Sequence, residues 1–223
     1  MISPPRRVTT TTTMTTTGEP GRLRVAARVV DTAAEGPGRR YALWLAGCSL
    51  RCPGCCNPEL FDPRAGEDVA VEALAAEILG AARAHALDGV TLLGGEPLEQ
   101  MAGVTALVGA LAGHGLGVIL FTGHTLEEAR ALDGFARLEP ALDTIVDGRF
   151  DAARREPRVG GRRWIGSTNQ RLVHLTSRYA DAALWGGPAH VDVRVGSDGA
   201  VAVHGDPELA RRLLRRFPGS TAL

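Results

Sequence analysis

Short apolar runs alternate with longer stretches of helical period along most of the chain. "LRVAARVVDT" (23–32) and "YALWLAG" (41–47) read as strands. Over 69–86, Val71, Leu74, Ala75, Ile78, Leu79 and Ala82 recur on one helical face, with Glu72 and Arg83 outside it. "GVTLLGG" (89–95) is a third strand. Met101, Val104, Leu107, Val108 and Leu111 mark a second helix, and "GVILFTG" (117–123) a fourth strand. Thr125 followed by Glu128 is a capping box that starts a third helix, and "LDTIVDG" (142–148) is the next strand. Nearly continuous apolar strands are expected where both faces of a sheet are buried. The repeat of roughly thirty residues is the size of a βα unit. The pattern therefore predicts a parallel α/β sheet with right-handed crossovers, either open or a partial barrel. About four to six strands are too few for a closed eight-stranded barrel.

The last part reads differently. "RWIGSTNQRLVHLTS" (163–177) adds one strand, and "HVDVRVGSDGAVAVHGD" (190–206) alternates as a hairpin about Ser197, Asp198 and Gly199. Glu208 to Phe217 is a basic amphipathic helix with Leu209, Leu213 and Phe217 on one stripe, expected to pack on the core. Residues 1–21, rich in threonine with proline and glycine, are expected to be a disordered tail, with Met14 an alternative start. The expected division is tail 1–21, core 22–177 and hairpin–helix appendage 178–223.

Composition narrows the function classes. Lys+Arg and Asp+Glu both total 25, so a neutral chain of 223 residues makes no electrostatic case for nucleic acid or a membrane surface. No window approaches the ~20 apolar residues of a membrane span. The tail lacks the apolar segment of a secretory signal, and a cytoplasmic location is expected. In that compartment, clustered cysteines serve metals or redox chemistry more often than structural disulfides.

All four cysteines lie in "GCSLRCPGCCN" (47–57). Cys48, Cys52 and Cys55 have the spacing C-x3-C-x2-C. Three thiolates on a [4Fe–4S] cluster leave one iron open to a substrate or cofactor, as at an open catalytic zinc. Cys56, next to Cys55, is poorly placed to be a fourth ligand. A structural zinc, a reactive thiol pair or free loop cysteines are the plainer alternatives. In parallel α/β folds ligands bind at the carboxyl ends of the strands. There stand the cysteine loop, Gly94-Gly95-Glu96-Pro97, Thr122-Gly123-His124 and Asp147-Gly148-Arg149.

These motifs resemble the radical S-adenosylmethionine superfamily. "VVDT…EGPGRRYALWLAGCSLRCPGCCN", "LLGGEPL", "LFTGHTLEE", "IVDGRF" and "IGSTNQR" further resemble activating proteins of anaerobic ribonucleotide reductases, over roughly 25–175. The resemblance implies a partial TIM-like (β/α) barrel. It implies that Cys48, Cys52 and Cys55 hold a [4Fe–4S] cluster whose fourth iron takes the amino and carboxylate groups of S-adenosylmethionine. It also implies that the Gly94–Pro97 backbone helps bind the amino group. Gly54, Cys56, Asn57, Gly94, Gly95, Glu96, Pro97, Thr122, Gly123 and Asp147 are the expected cofactor contacts, with no catalytic residue beyond the cluster.

The implied activity is reductive cleavage of S-adenosylmethionine to a 5′-deoxyadenosyl radical. That radical generates a glycyl radical on a partner, anaerobic ribonucleotide reductase or a formate-acetyltransferase-like enzyme. A flavodoxin or ferredoxin is the implied electron donor. Two alternatives stay open: a deazaguanine synthase-like enzyme acting directly on a small molecule or peptide, and a non-catalytic iron–sulfur or zinc module. The sequence departs from the resemblance at Cys56, where these activases usually carry an aromatic. Glu96 either contacts cofactor or starts a helix, and Asn57 either braces the loop or serves the turn. His124 is expected to be an exposed residue before a helix. Ser167, Asn169 and Gln170 read as a hydrogen-bonded loop, and Arg154, Arg155, Arg158, Arg162 and Arg163 as a solvated basic stretch or a dock for an acidic partner.

Overall fold

The computed structural model describes residues 21–196, 201–216 and 221–222. Residues 1–20 of the expected tail, Ser197–Asp198–Gly199 of the hairpin turn and Phe217 lie outside the described residues. In chain order the strands are β1 (Arg22–Thr32), β2 (Arg40–Leu45), β3 (Glu67–Ala70), β4 (Gly89–Gly94), β5 (Gly117–Phe121), β6 (Thr144–Asp147) and β7 (Arg171–His174). The remaining three are β8 (Val191–Val195), β9 (Val201–Gly205) and β10 (Thr221–Ala222). The helices are α1 (Val71–His85), α2 (Met101–Leu111), α3 (Leu126–Arg130), α4 (Phe135–Leu138) and α5 (Pro207–Leu214).

The first seven strands form one sheet in the order β3-β1-β2-β4-β5-β6-β7. Its centre, β2-β4-β5-β6, is parallel. The flanks are antiparallel, which corrects the all-parallel expectation. The reason lies in the connections. Only residues 33–39 join β1 to β2, too few for the crossover that a parallel pair requires. The fold is therefore mixed α/β on one large, mostly parallel sheet, with β3 and β7 as its two edges.

The expected helix over 69–86 begins at Val71, because Val69 belongs to β3. That strand starts with two charges and shows no apolar pattern. Ion pairs fix it instead: Asp68 with Arg22 at 2.7 Å and Glu67 with Arg28 at 3.3 Å. The capping box forms as read, Thr125 accepting from Glu128 N while Glu128 accepts from Thr125 N.

Alternation within the strands sends side chains to two different covers. Leu43, Leu45, Val90, Leu92, Leu120 and Ile145 meet α1 and α2 in the main core. Ala42, Trp44, Leu93, Ile119 and Val146 face the other way, into two smaller apolar clusters. Among the described residues no long helix covers that second face. Tyr179 and Trp185, the latter ending the 3-10 turn Ala182–Trp185, pack there with Ile165. Tyr179 also bonds the guanidinium of Arg40, which is buried at the amino end of β2.

β8, β9 and β10 form a separate small sheet, β8 and β9 antiparallel as the hairpin reading requires. Helix α5 packs on β9 and β10 rather than on the main core. The hairpin meets the main sheet beside β1. Asp192 accepts from Thr32 Oγ1 at 2.5 Å, and Arg194 donates to the carbonyls of Val30 and Asp31. Among the described residues no helix is long and apolar enough to cross a membrane.

Candidate radical-chemistry site

The four central strands run in the same direction, so their carboxyl ends share one edge of the sheet. The loops that follow are laced together by backbone hydrogen bonds. Gly95 N donates to Leu45 O and Glu96 N to Gly47 O, both at 2.7 Å. Thr122 N donates to Val146 O, and Gly148 N to His124 O, both at 2.9 Å. The four motifs read at strand ends are thus neighbours in space.

The cysteine loop is held at both ends. Gly47 N donates to Leu60 O at 2.9 Å, and Ser49 N to the carboxylate of Glu99 at 2.6 Å. Cys55 N donates to Cys52 O at 3.1 Å, closing a turn at Pro53-Gly54. Arg51, with a positive φ of 45°, lies over the Phe61 ring. Cys48, Cys52 and Cys55 are half-buried free thiols, and Cys56 is exposed.

Two glycines are required by the close approach of chain to chain. A Cβ on Gly95 would sit 2.1 Å from Gly47 O, and one on Gly94 2.4 Å from Leu45 N. Gly94 also has φ +118°, which only glycine adopts freely. Any side chain here would push the second loop off the cysteine loop.

A cavity of about 860 Å³ opens beside these loops, along the face of the sheet that α1 and α2 do not cover. Cys48, Cys52, Cys55 and Cys56 line it, as do Gly54, Asn57, Gly94, Gly95, Glu96, Thr122 and Gly123. Pro97 and Asp147, also expected at the cofactor, do not line it. Pro97 is buried in the turn before α2. Asp147 is fully buried and accepts from Leu126 N at 2.7 Å and from Arg171, so it fastens α3 and β7 to the end of β6.

Glu96 reaches the cavity wall with its hydrogen bonds already made. Its carboxylate accepts from Leu98 N at 3.0 Å, Thr122 Oγ1 at 2.8 Å and Gly123 N at 2.8 Å. It caps the turn after β4 and ties that loop to the one after β5. Burial raises its pKa to about 7, against the pull of those three donors.

Burial also raises the thiol pKa of Cys48. Cys55 is lowered to about 6, chiefly by a hydrogen bond from Cys56, whose own pKa rises through the same bond.

Other expectations resolve into contacts. Asn57 precedes the 3-10 turn 58–61 without capping it through its side chain. His124 is half-buried rather than exposed, 3.9 Å from Glu128, and burial lowers its pKa. Ser167, Asn169 and Gln170 knit the loop after β6 to the start of β7. Asp151 N donates to Ser167 Oγ, Asn169 Nδ2 to Arg149 O and Gln170 Nε2 to Gly148 O. The basic stretch is largely engaged internally: Arg154 with Asp151, Arg162 with Glu156, Arg158 with Asp206 and Glu208, and Arg155 over Phe150.

Trp44, Leu93 and Phe121 line the cavity and were not singled out by motif. Their signal was the strand alternation, which puts them on the face opposite Leu43, Leu45, Leu92 and Leu120.

The donor set suits an iron–sulfur cluster. Three half-buried thiols stand on one tightly turned loop beside a glycine backbone that leaves open space. Among the described residues no three His, Cys, Asp or Glu side chains converge to hold a single metal ion. A cluster does not need that convergence, because each thiolate binds a different iron.

The sequence family described as a 4Fe-4S single cluster domain matches residues 34–173. The anaerobic ribonucleoside-triphosphate reductase-activating protein of Salmonella typhimurium is 31% identical over 146 residues, 63% of this chain and 91% of that protein. The protein of the same name from Escherichia coli is 28% identical over the same shares. Pyruvate formate-lyase-activating enzyme of Staphylococcus aureus is 37% identical over 91 residues, 40% of this chain and 36% of that protein. With its cysteine loop, glycine-backed cavity and these matches, the chain belongs to the 4Fe-4S single cluster domain family and, within it, to the anaerobic ribonucleoside-triphosphate reductase-activating proteins.

Proposed function

We propose that this protein generates a glycyl radical on a partner enzyme of the anaerobic ribonucleotide reductase class, using a [4Fe–4S] cluster and S-adenosylmethionine. The observation that carries the reading is the meeting of the three spaced thiols with the Gly94–Gly95 backbone at one cavity. When bound and reduced, the cluster held by Cys48, Cys52 and Cys55 would supply the one-electron cleavage of S-adenosylmethionine to methionine and a 5′-deoxyadenosyl radical able to take the Cα hydrogen of the partner's glycine.

The chain's own work is binding, orientation and exclusion of water. Cys48, Cys52 and Cys55 hold the cluster, with Gly54 and Asn57 shaping their loop. Gly94 and Gly95 present backbone to the amino group of S-adenosylmethionine, because no side chain intervenes. Glu96, Thr122 and Gly123 keep the second and third loops in register through their shared hydrogen bonds. Trp44, Leu93 and Phe121 offer an apolar wall to the nucleoside. Pro97 and Asp147 serve from behind, fixing the loop after β4 and the end of β6. Cys56 stays outside the ligand set. No general base is required of any residue, since a hydrogen atom moves rather than a proton. A flavodoxin or ferredoxin supplies the electron.

The uncovered sheet face with the cavity along it supports reading the main sheet as a partial barrel of the radical S-adenosylmethionine type. We read 22–177 as that core and 178–223 as an appendage, with Tyr179 and Trp185 packing back into the core.

The test is to mix the reconstituted, reduced chain anaerobically with S-adenosylmethionine and the Escherichia coli anaerobic ribonucleoside-triphosphate reductase. A glycyl radical signal in electron paramagnetic resonance is the expected result. Formation of 5′-deoxyadenosine with no protein radical on any glycyl radical enzyme would favour direct action on a small molecule.

A further inference from the structure

The family match ends at residue 173, so the hairpin and α5 lie beyond the stretch the family shares. Yet they wall the same cavity. His190, Gly205, Asp206, Glu208, Ala210 and Arg211 line the same cavity as the cysteine loop. The hairpin is seated against the uncovered sheet face. His204 is fully buried and packs edge-on to Trp44, with centroids 6.4 Å apart. Its two ring nitrogens lie 3.6 Å from Glu35 and 3.9 Å from Asp192.

The opposite wall is the loop that carries Arg155 to Gly166. Two residues join the two walls: Arg163, whose Nη2 lies 2.5 Å from His190 Nδ1 in a half-buried contact, and Arg158. Arg158 reaches Asp206 at 2.9 Å and Glu208 at 3.1 Å. The pairing is at a solvent-facing rim, with Arg158 39% and Glu208 63% exposed. Asp206 is fixed independently, as the cap that accepts from Glu208 N and Leu209 N. Arg158 and Glu208 are therefore the movable members.

We propose that the hairpin and α5 are the partner-selecting wall of the cavity, and that Arg158 with Glu208 and Asp206 sets which partner loop passes. The proposal rests on the activase reading. A glycine in a folded partner reaches a recessed site only on an extended loop, and that loop has to part the two walls where the ion pairs hold them. Exposed pairs are weak and screened by salt, so this is a barrier a correct loop overcomes and an ill-fitting one does not.

The test uses the full chain with Arg158→Ala and, separately, Glu208→Gln, which leaves the Asp206 pair intact. Of the three tryptophans, Trp44 (3% exposed) and half-buried Trp164 line the cavity, and Trp185 packs edge-on to Trp164. Acrylamide quenching of their fluorescence therefore reports opening without any cofactor. The expected result is stronger quenching in Arg158→Ala, with a smaller rise in Glu208→Gln. Radical formation on the Escherichia coli reductase should rise about fivefold at low salt in Arg158→Ala, which is about 1 kcal/mol. Added salt should raise the wild-type rate and leave that variant's unchanged. Partner-free 5′-deoxyadenosine formation should be the same in all three proteins. Unaltered quenching together with an unaltered partner rate overturns the wall. Absence of 5′-deoxyadenosine from every protein overturns the activase reading instead, while the quenching still decides whether the pairs hold the walls together.

Discussion

Two adjacent cysteines have unequal roles. Cys55 is half-buried and completes the C-x3-C-x2-C spacing, whereas Cys56 is exposed beside it. Cys56→Ser is expected to retain the iron of the reconstituted wild type. Cys52→Ser is expected to lose most of it. Iron and sulfide analysis after anaerobic reconstitution decides, and equal contents in the two variants would sink the assignment.

Glu96 gives a second test at this scale. Its folded pKa of about 7 lies above the unfolded value near 4.5, so the folded state binds the extra proton. That contribution is fully present below about pH 4.5 and is lost as pH rises toward 7, by roughly 3 kcal/mol for so buried a group. Urea titrations of the apoprotein between pH 5 and 7 should show this decline. Glu96→Gln should flatten it, and an equal slope in both proteins would contradict the assignment.

At the scale of elements, the site depends on loops being brought together rather than on any one strand. Gly95 is the tightest point. Gly95→Ala forces its methyl against the Gly47 carbonyl, a displacement expected to cost about 1–3 kcal/mol and to remove cofactor cleavage along with it. The capping box at α3 is a contrasting case. Thr125→Ala should cost about 1 kcal/mol in urea unfolding and leave cofactor cleavage intact, since the box faces away from the cavity. Loss of cleavage in that variant would show that α3 positions the third loop more directly than its contacts indicate.

The elements also show what the sequence made legible. The central strands, α2 and the capping box announce themselves through apolar runs and local chemistry. β3 does not, because its residues are held by Arg22 and Arg28 from β1, partners far away in sequence. The antiparallel turn of β1 against β2 was readable in the short connection, yet the apolar character of both strands masked it. Motifs located the cysteine loop and Gly94–Gly95, since their chemistry is local. Trp44, Phe121 and the appendage residues became visible only when packing showed which face α1 and α2 leave bare. Asp147 stands at a strand end as expected, but its contacts with Arg171 and Leu126 turn it from the cavity.

In the whole molecule, the hairpin and α5 are joined to the main sheet through few contacts, with His204 at their centre. Removing that ring opens a cavity beside Trp44 and leaves Glu35 and Asp192 facing one another across it. His204→Ala is expected to cost about 3 kcal/mol at this junction. Limited proteolysis should then cut near residue 190 and release a folded core. Resistance equal to the wild type would show that Thr32, Arg194, Arg158 and Arg163 suffice to hold the appendage. The molecule thus divides its work between a core that holds cofactors and a wall that governs what reaches them.

Whether the three spaced thiols mount a cluster that works on S-adenosylmethionine is decided by the 5′-deoxyadenosine formed by the reconstituted wild type and by Cys52→Ser, under dithionite and without oxygen. Product is expected from the wild type and none from the variant. A wild type that holds a full cluster and yields no 5′-deoxyadenosine, alone or with its partner, would refute that role of the thiols.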